Sequence, residues 1–313
     1  MPENRFCIVP RPMSRPVEFV LAALVAVAAT TSLTGCDELS ARSSVQKGNG
    51  AYGEQEFEKA VKHYEAALAK SPDLEVIHHN LGITYSRLFH PGVDTPANKA
   101  MAEKATTHLA RWLDKHPKDA EIRKLLTSLW IDSGEYQKAI EFWKKEHAAS
   151  PQARDVVQLI AGIYLKSGDW RSAVDWYRKD VEIAPDTAAK VGAYASIANL
   201  AFGKIWQLSS REKVQGLDRT ELAEIGLEAA GKGLELDPNN IALTKISQGL
   251  WINRGTAQGP AWAAAIDRTE AQVFEQRARV LVEQAKKNQP APAGKPADSP
   301  AAGGGAPGAG TGS

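Results

Sequence analysis

The chain has 313 residues, 43% hydrophobic and 24% charged, an ordinary globular composition with room for one large core or a solenoid. The net charge is +1, and without residues 1–35 acids and bases balance, so no bulk field attracts nucleic acid or an anionic membrane. Two cysteines, Cys7 and Cys36, are too few for a disulfide framework.

Residues 1–35 have the layout of a secretory signal peptide: arginines at the head, the apolar run Phe19 to Thr34, and small residues at its end. The run is at the low end for a membrane-spanning helix. Translation from Met1 or from Met13 fits this layout, the latter giving the more compact leader. Leu33-Thr34-Gly35-Cys36 resembles the bacterial lipobox. That resemblance implies cleavage before Cys36, acylation of its thiol, and a palmitate-type anchor that several chains make firm. It implies a membrane-anchored lipoprotein facing the periplasm. Asp37 weakly favours the inner membrane, and the outer membrane stays open. Residues 36–43 read as the tether.

A fixed period governs the next part of the chain. Pro117, Pro151 and Pro185 are 34 residues apart, and so are Ala105, Ala139 and Ala173. Gly134 and Gly168, Tyr136 and Trp170, and Trp130 and Tyr164 repeat at the same interval. Such a period means one supersecondary unit copied in tandem. Apolar spacings of three and four make every unit helical, and no alternation of period two competes. The pattern resembles the tetratricopeptide repeat from Ser44 to Lys287. The resemblance implies an all-α solenoid of helical hairpins, about five to six repeats, two with insertions. The copy Arg154–Pro185 is the clearest, with Ile160, Tyr164, Gly168, Trp170, Ala173 and Tyr177 in place.

Other copies depart from the pattern. In the first, Lys47 falls where an apolar residue is expected. In the copy Ala120–Pro151, Glu146 takes the place of a small residue, which loosens one contact. The second copy carries RLFHPGVDTPANKA, breaker-rich and read as a loop at the hairpin tip. In the copy before Pro238 the first helix runs on through NLAFGKIWQL, and Ser209-x-x-Glu212 and Asp218-x-x-Glu221 read as helix caps. A final copy starts at Ile241 and breaks at Gly255 to Pro260. Ala261–Lys287 then reads as one long capping helix. Residues 288–313, rich in Pro, Ala, Gly and Ser, read as a disordered tail.

No residue pattern points to catalysis, to a metal or to a cofactor. Neighbouring His78 and His79 point about 100° apart on a helix, no HExxH or GxSxG occurs, and acids such as Asp132, Glu135 and Asp169 sit at hairpin turns. Trp130, Trp143 and Trp170 fall on repeat core positions and Trp112 on an inner face, whereas Trp206 and Trp262 are freer.

The repeat resemblance implies a concave surface lined by first helices. It would present His79, Ile83, Arg87, Lys124, Ser128, Asp132, Gln158 and Lys166, then Ser196 and Asn199. Such a mixed surface suits an extended peptide or a partner helix. The carboxylate clamp of some relatives is excluded. Asn49 and Asn80 match its amides, but Val45, Glu121 and Leu125 stand where it needs cations. The expected function is a non-catalytic, lipid-anchored scaffold for an envelope protein. The alternative is an envelope glycan or peptidoglycan binder, resting on Trp206 and Trp262.

Overall fold

The computed structural model describes residues 37–206, 216–257 and 260–288. The leader, Cys36, the Ser209 cap and the tail beyond residue 288 lie outside them. The chain divides into two compact units, one ending at Asp169 and one starting at Trp170. All regular structure among the described residues is helical, and no helix there is long and apolar enough to cross a membrane.

The first unit holds α1 (37–53), α2 (Phe57–Lys70), α3 (Glu75–Leu88), α4 (Pro96–Lys115), α5 (Ala120–Asp132), α6 (Tyr136–Ala149) and α7 (Arg154–Ser167). From α2 onward each helix packs on the next, as short connections dictate. The periodic residues explain themselves. Ala105 and Ala139 are fully buried, so a larger side chain would hold neighbouring helices apart. Gly134 and Gly168 adopt φ of +80° and +91°, a left-handed turn that costs an L side chain free energy. Around them Tyr64, Ile77, Leu81, Tyr85, Leu109, Leu126 and Ile140 form one core.

The second unit holds α8 (Trp170–Glu182), α9 (Thr187–Trp206), α10 (Gly216–Leu236), α11 (Ile241–Ala257) and α12 (Ala261–Lys287). Helix α9 packs on α8, α10 and α11, and α12 closes over α11. Close approach depends on missing side chains. A Cβ on Gly226 would lie 2.6 Å from the Ala201 Cβ and 2.8 Å from Leu250. As expected, α9 is long and α12 spans Ala261–Lys287.

Four local expectations need correction. Helix α1 covers residues 37–53 and buries Ala41. Lys47 is exposed, and Val45 and Gly48 face inward instead. Of RLFHPGVDTPANKA only residues 89–95 are non-helical. Pro96 opens α4, where its missing N–H costs nothing, and Thr95 caps it by accepting from Asn98 N at 3.2 Å. The Asn98 side chain then ties the loop down, accepting from His90 N and donating to His90 O and Val93 O. Asp218 lies within the first turn of α10 and accepts from Arg171 at 2.7 Å, so it is an ion-pair partner and not a cap. Finally, α11 continues through Gly255 to Ala257, and a Cβ on Gly255 would lie 3.0 Å from the Asp267 Cβ of α12.

Candidate partner-binding surface

In the first unit, residues spaced by four put His79, Ile83 and Arg87 on one side of α3, and Lys124, Ser128 and Asp132 on one side of α5. Their surroundings differ. The His79 ring is half-buried 4.7 Å from Trp112, which stacks on His116 at 3.6 Å. Trp112 Nε1 donates to Asp119 Oδ2 at 2.9 Å and holds that carboxyl below the usual carboxylate range. Asp119 also caps α5 through Ile122 N, so one carboxylate fixes both the ring and the helix start. Ile83 packs on the core, and Arg87 Nε donates to Tyr52 Oη at 3.3 Å. Asn49 Oδ1 accepts from both Tyr64 Oη and Asn80 Nδ2, so the two asparagines satisfy each other.

A concave feature lies between α5, α6 and α7. A cleft of about 590 Å³ opens there. Lys124 and Ser128 line it, joined by Arg123, Thr127, Trp143 and Glu146. Arg123 Nη2 donates to Glu146 Oε2 at 2.6 Å, and its guanidinium lies over the Trp143 ring at 4.7 Å. Trp143 Nε1 donates to Thr127 Oγ1 at 2.9 Å, and Thr127 Oγ1 donates to Arg123 O. Arg123 Nε is buried without a hydrogen-bond partner. An ionic floor, an indole wall, and the apolar flank of Ile131, Val156 and Leu159 make this cleft suited to an amphipathic segment.

Asp132 is exposed outside the cleft and accepts from Ser128 Oγ at 3.2 Å. Gln158 and Lys166 are exposed on α7 but do not line it; Val156 and Leu159 do. Ser196 and Asn199 belong to the second unit, where each donates to its own helix, to Gly192 O and Ala195 O. The sequence signal for the cleft was Glu146, the acid in a small-residue place. Arg123 had no periodic signature.

The aromatic residues divide as follows. Trp130, Trp170 and Trp176 are buried, and Trp143 is half-buried in the cleft. Trp206 is 55% exposed and stacks on Phe202, with ring centroids 5.6 Å apart. Trp262 is 70% exposed. His78 and His108 pair across α3 and α4, and no cluster of three metal-ligating side chains occurs among the described residues.

A model of the tetratricopeptide repeat matches residues 157–190. No curated protein matches the chain. Among solved structures, the chain is similar to a TPR repeats protein from Bacteroides fragilis NCTC 9343 at 16% identity. That match covers 67% of this chain and 97% of the other, with a TM-score of 0.43. A tetratricopeptide repeat protein from Parabacteroides merdae ATCC 43184 is similar at 14% identity over 80% and 93% of the two chains, TM-score 0.39. A MamA protein is similar at 15% identity over 82% and 98%, TM-score 0.32. Taken with the helical hairpins above, the repeat match places this chain among all-α proteins with a tetratricopeptide-like repeat fold.

Proposed function

We propose that this protein is a non-catalytic interaction scaffold of the bacterial envelope, anchored by lipid on Cys36, that holds an extended segment of a partner protein. The observation that carries the binding role is the cleft between α5, α6 and α7, where Arg123, Lys124, Trp143 and Ser128 converge with an apolar flank. A partner side chain seated on the Trp143 ring gains apolar burial, while the Lys124 ammonium and the Ser128 hydroxyl hold its backbone or an acidic neighbour. The lipobox motivates the anchor: acylated Cys36, directly before α1, would hold the first unit at the periplasmic side of the membrane.

A photo-crosslinking residue at Ser128, placed in the full chain in living cells, tests the binding role. A discrete adduct is expected from position 128, and none from exposed Ile252. Trp143→Ala should abolish it. Equal adducts from both positions would remove the cleft as the binding site. For the anchor, Cys36→Ala should move the protein from the membrane to the soluble fraction; retention in the membrane would reject lipidation.

A second reading, an envelope glycan or peptidoglycan binder, is favoured by Trp206, whose exposed ring stacked on Phe202 is a platform for a sugar face. Co-sedimentation with isolated sacculi, lost in Trp206→Ala, would support it over a protein partner.

A further inference from the structure

Helix α12 carries two apolar stripes. Ala263, Ala271, Ala278 and Leu281 are buried, against α11 and its neighbours. The second stripe faces solvent: Trp262, Ile266, Val273 and Val280 are 70%, 53%, 54% and 54% exposed. At about 100° per residue these four fall within an arc of about 40°, roughly 120° from the buried stripe. Ile266, Val273 and Val280 are spaced by sevens, the repeat of a helix–helix seam. A helix that merely closes an array shows water a polar outer face. This one shows a row of β-branched side chains capped by an indole.

Charge selects the occupant and its direction. Glu270 and Arg277 flank the stripe on the same side, seven residues apart. Glu270 makes no ion pair with the described residues. Arg277 Nη2 donates to Pro238 O at 2.7 Å, which fixes the guanidinium while leaving it further donors. A second α12 laid antiparallel, with a two-fold axis beside Val273, sets Glu270 of each copy against Arg277 of the other. It also brings Ile266 of each copy over Val280 of the other, and it opposes the helix dipoles. A parallel pairing would waste both charges. At 27 residues the helix is about 40 Å long. That allows an interface near the lower end of the specific range, a reversible dimer rather than an obligate one.

We propose that α12 is a self-association surface, packing antiparallel against α12 of a second copy through Ile266, Val273 and Val280. Sedimentation equilibrium of the full chain in mild detergent tests this. The expected result is a reversible monomer–dimer equilibrium whose dissociation constant rises at least about tenfold in Val273→Asp, since the seam would bury a charge. Val273 is half exposed in the monomer, so the variant keeps its helical circular dichroism. Glu270→Arg should weaken the dimer, and adding Arg277→Glu should restore it. A chain monomeric at 100 µM, whether or not it attaches to phosphatidylglycerol vesicles, overturns the proposal. So does a dimer untouched by Val273→Asp, or a charge swap that fails to restore what Glu270→Arg lost.

Discussion

His78 and His108 face each other between α3 and α4 with their Nδ1 atoms 2.9 Å apart. One must donate and the other accept, so the pair as folded is neutral or shares a single added proton. Burial, then the neighbouring His78, holds His108 down at about 4, and burial, then the Arg111 charge, lowers His78. Both folded imidazoles therefore bind protons less well than unfolded ones, which titrate near 6.5. The pair's contribution to stability is flat above that value and falls as pH drops from it toward 4. Urea titrations at pH 7.5 and pH 4.5 should differ, with about 1–2 kcal/mol lost at the lower pH through this pair after allowance for partial exposure. In His108→Gln the difference should shrink by about that amount. An unchanged pH dependence in the variant would mean that carboxylates elsewhere govern the acid limb.

Arg123 and Glu146 predict an asymmetry between single and double substitutions. The Arg123 side chain is only 19% exposed, so Glu146→Ala leaves a desolvated cation without its anion. The expected loss is about 2 kcal/mol. Replacing both residues with leucine removes the charges together and should restore most of it, to within about 1 kcal/mol of the parent. Chemical denaturation of the three proteins checks this. A double variant as unstable as the single would show that the pair, not its burial, supplies the stability.

Two glycines inside helices should respond in opposite directions to alanine. At Gly82 a Cβ would lie 2.5 Å from Leu109 Cδ2 and 3.1 Å from Leu109 N, and Leu109 is fully buried. Gly82→Ala should cost about 2–3 kcal/mol although alanine is the better helix former. At Gly162 nothing lies within 4 Å of the added carbon. Gly162→Ala should stabilise α7 by about 0.5–1 kcal/mol. Thermal melts of both variants separate helix propensity from packing, and a loss at Gly162 would contradict the open space seen there.

What could be read from the sequence was what repeats. Ala105 and Ala139 recur because helices must touch at each copy, and Gly134 and Gly168 because each hairpin needs one left-handed residue. The same residues therefore mark the helix pairs in the sequence itself. Features made once left no period to find. Asn98 holds the loop before α4 through side-chain bonds to His90 and Val93, and a breaker-rich string does not reveal how much of itself will be helix. Val45 replaces Lys47 on the inner face of α1 because Gly48 admits the Tyr64 ring, a pairing that the repeat register does not encode. The cleft was half legible. Lys124 and Ser128 followed from helix spacing, and Glu146 stood out as a departure. Arg123 and the tilt of Trp143 needed the fold, since their contacts span helices.

Asp267 links the interior of the second unit to its outer face. It is 1% exposed, and Arg254 holds it through two bonds, Nε to Oδ2 at 3.1 Å and Nη2 to Oδ1 at 2.7 Å. The Arg254 guanidinium also lies 4.2 Å over the Trp251 ring and 3.8 Å from Glu224 of α10. One buried carboxylate thus fixes α12 to α11 and, through Arg254, to α10. Asp267→Ala would leave that arginine without its main anion and should cost about 3 kcal/mol. Amide exchange along α12 should quicken well before α10 is affected, because among the described helices α12 packs chiefly on α11. The outward stripe of α12 is presented only when this inward face is seated. Asp267→Ala should therefore lose self-association together with amide protection, whereas Val273→Asp should lose self-association alone. If Asp267→Ala speeds exchange and leaves the dimer intact, the seam cannot lie on α12.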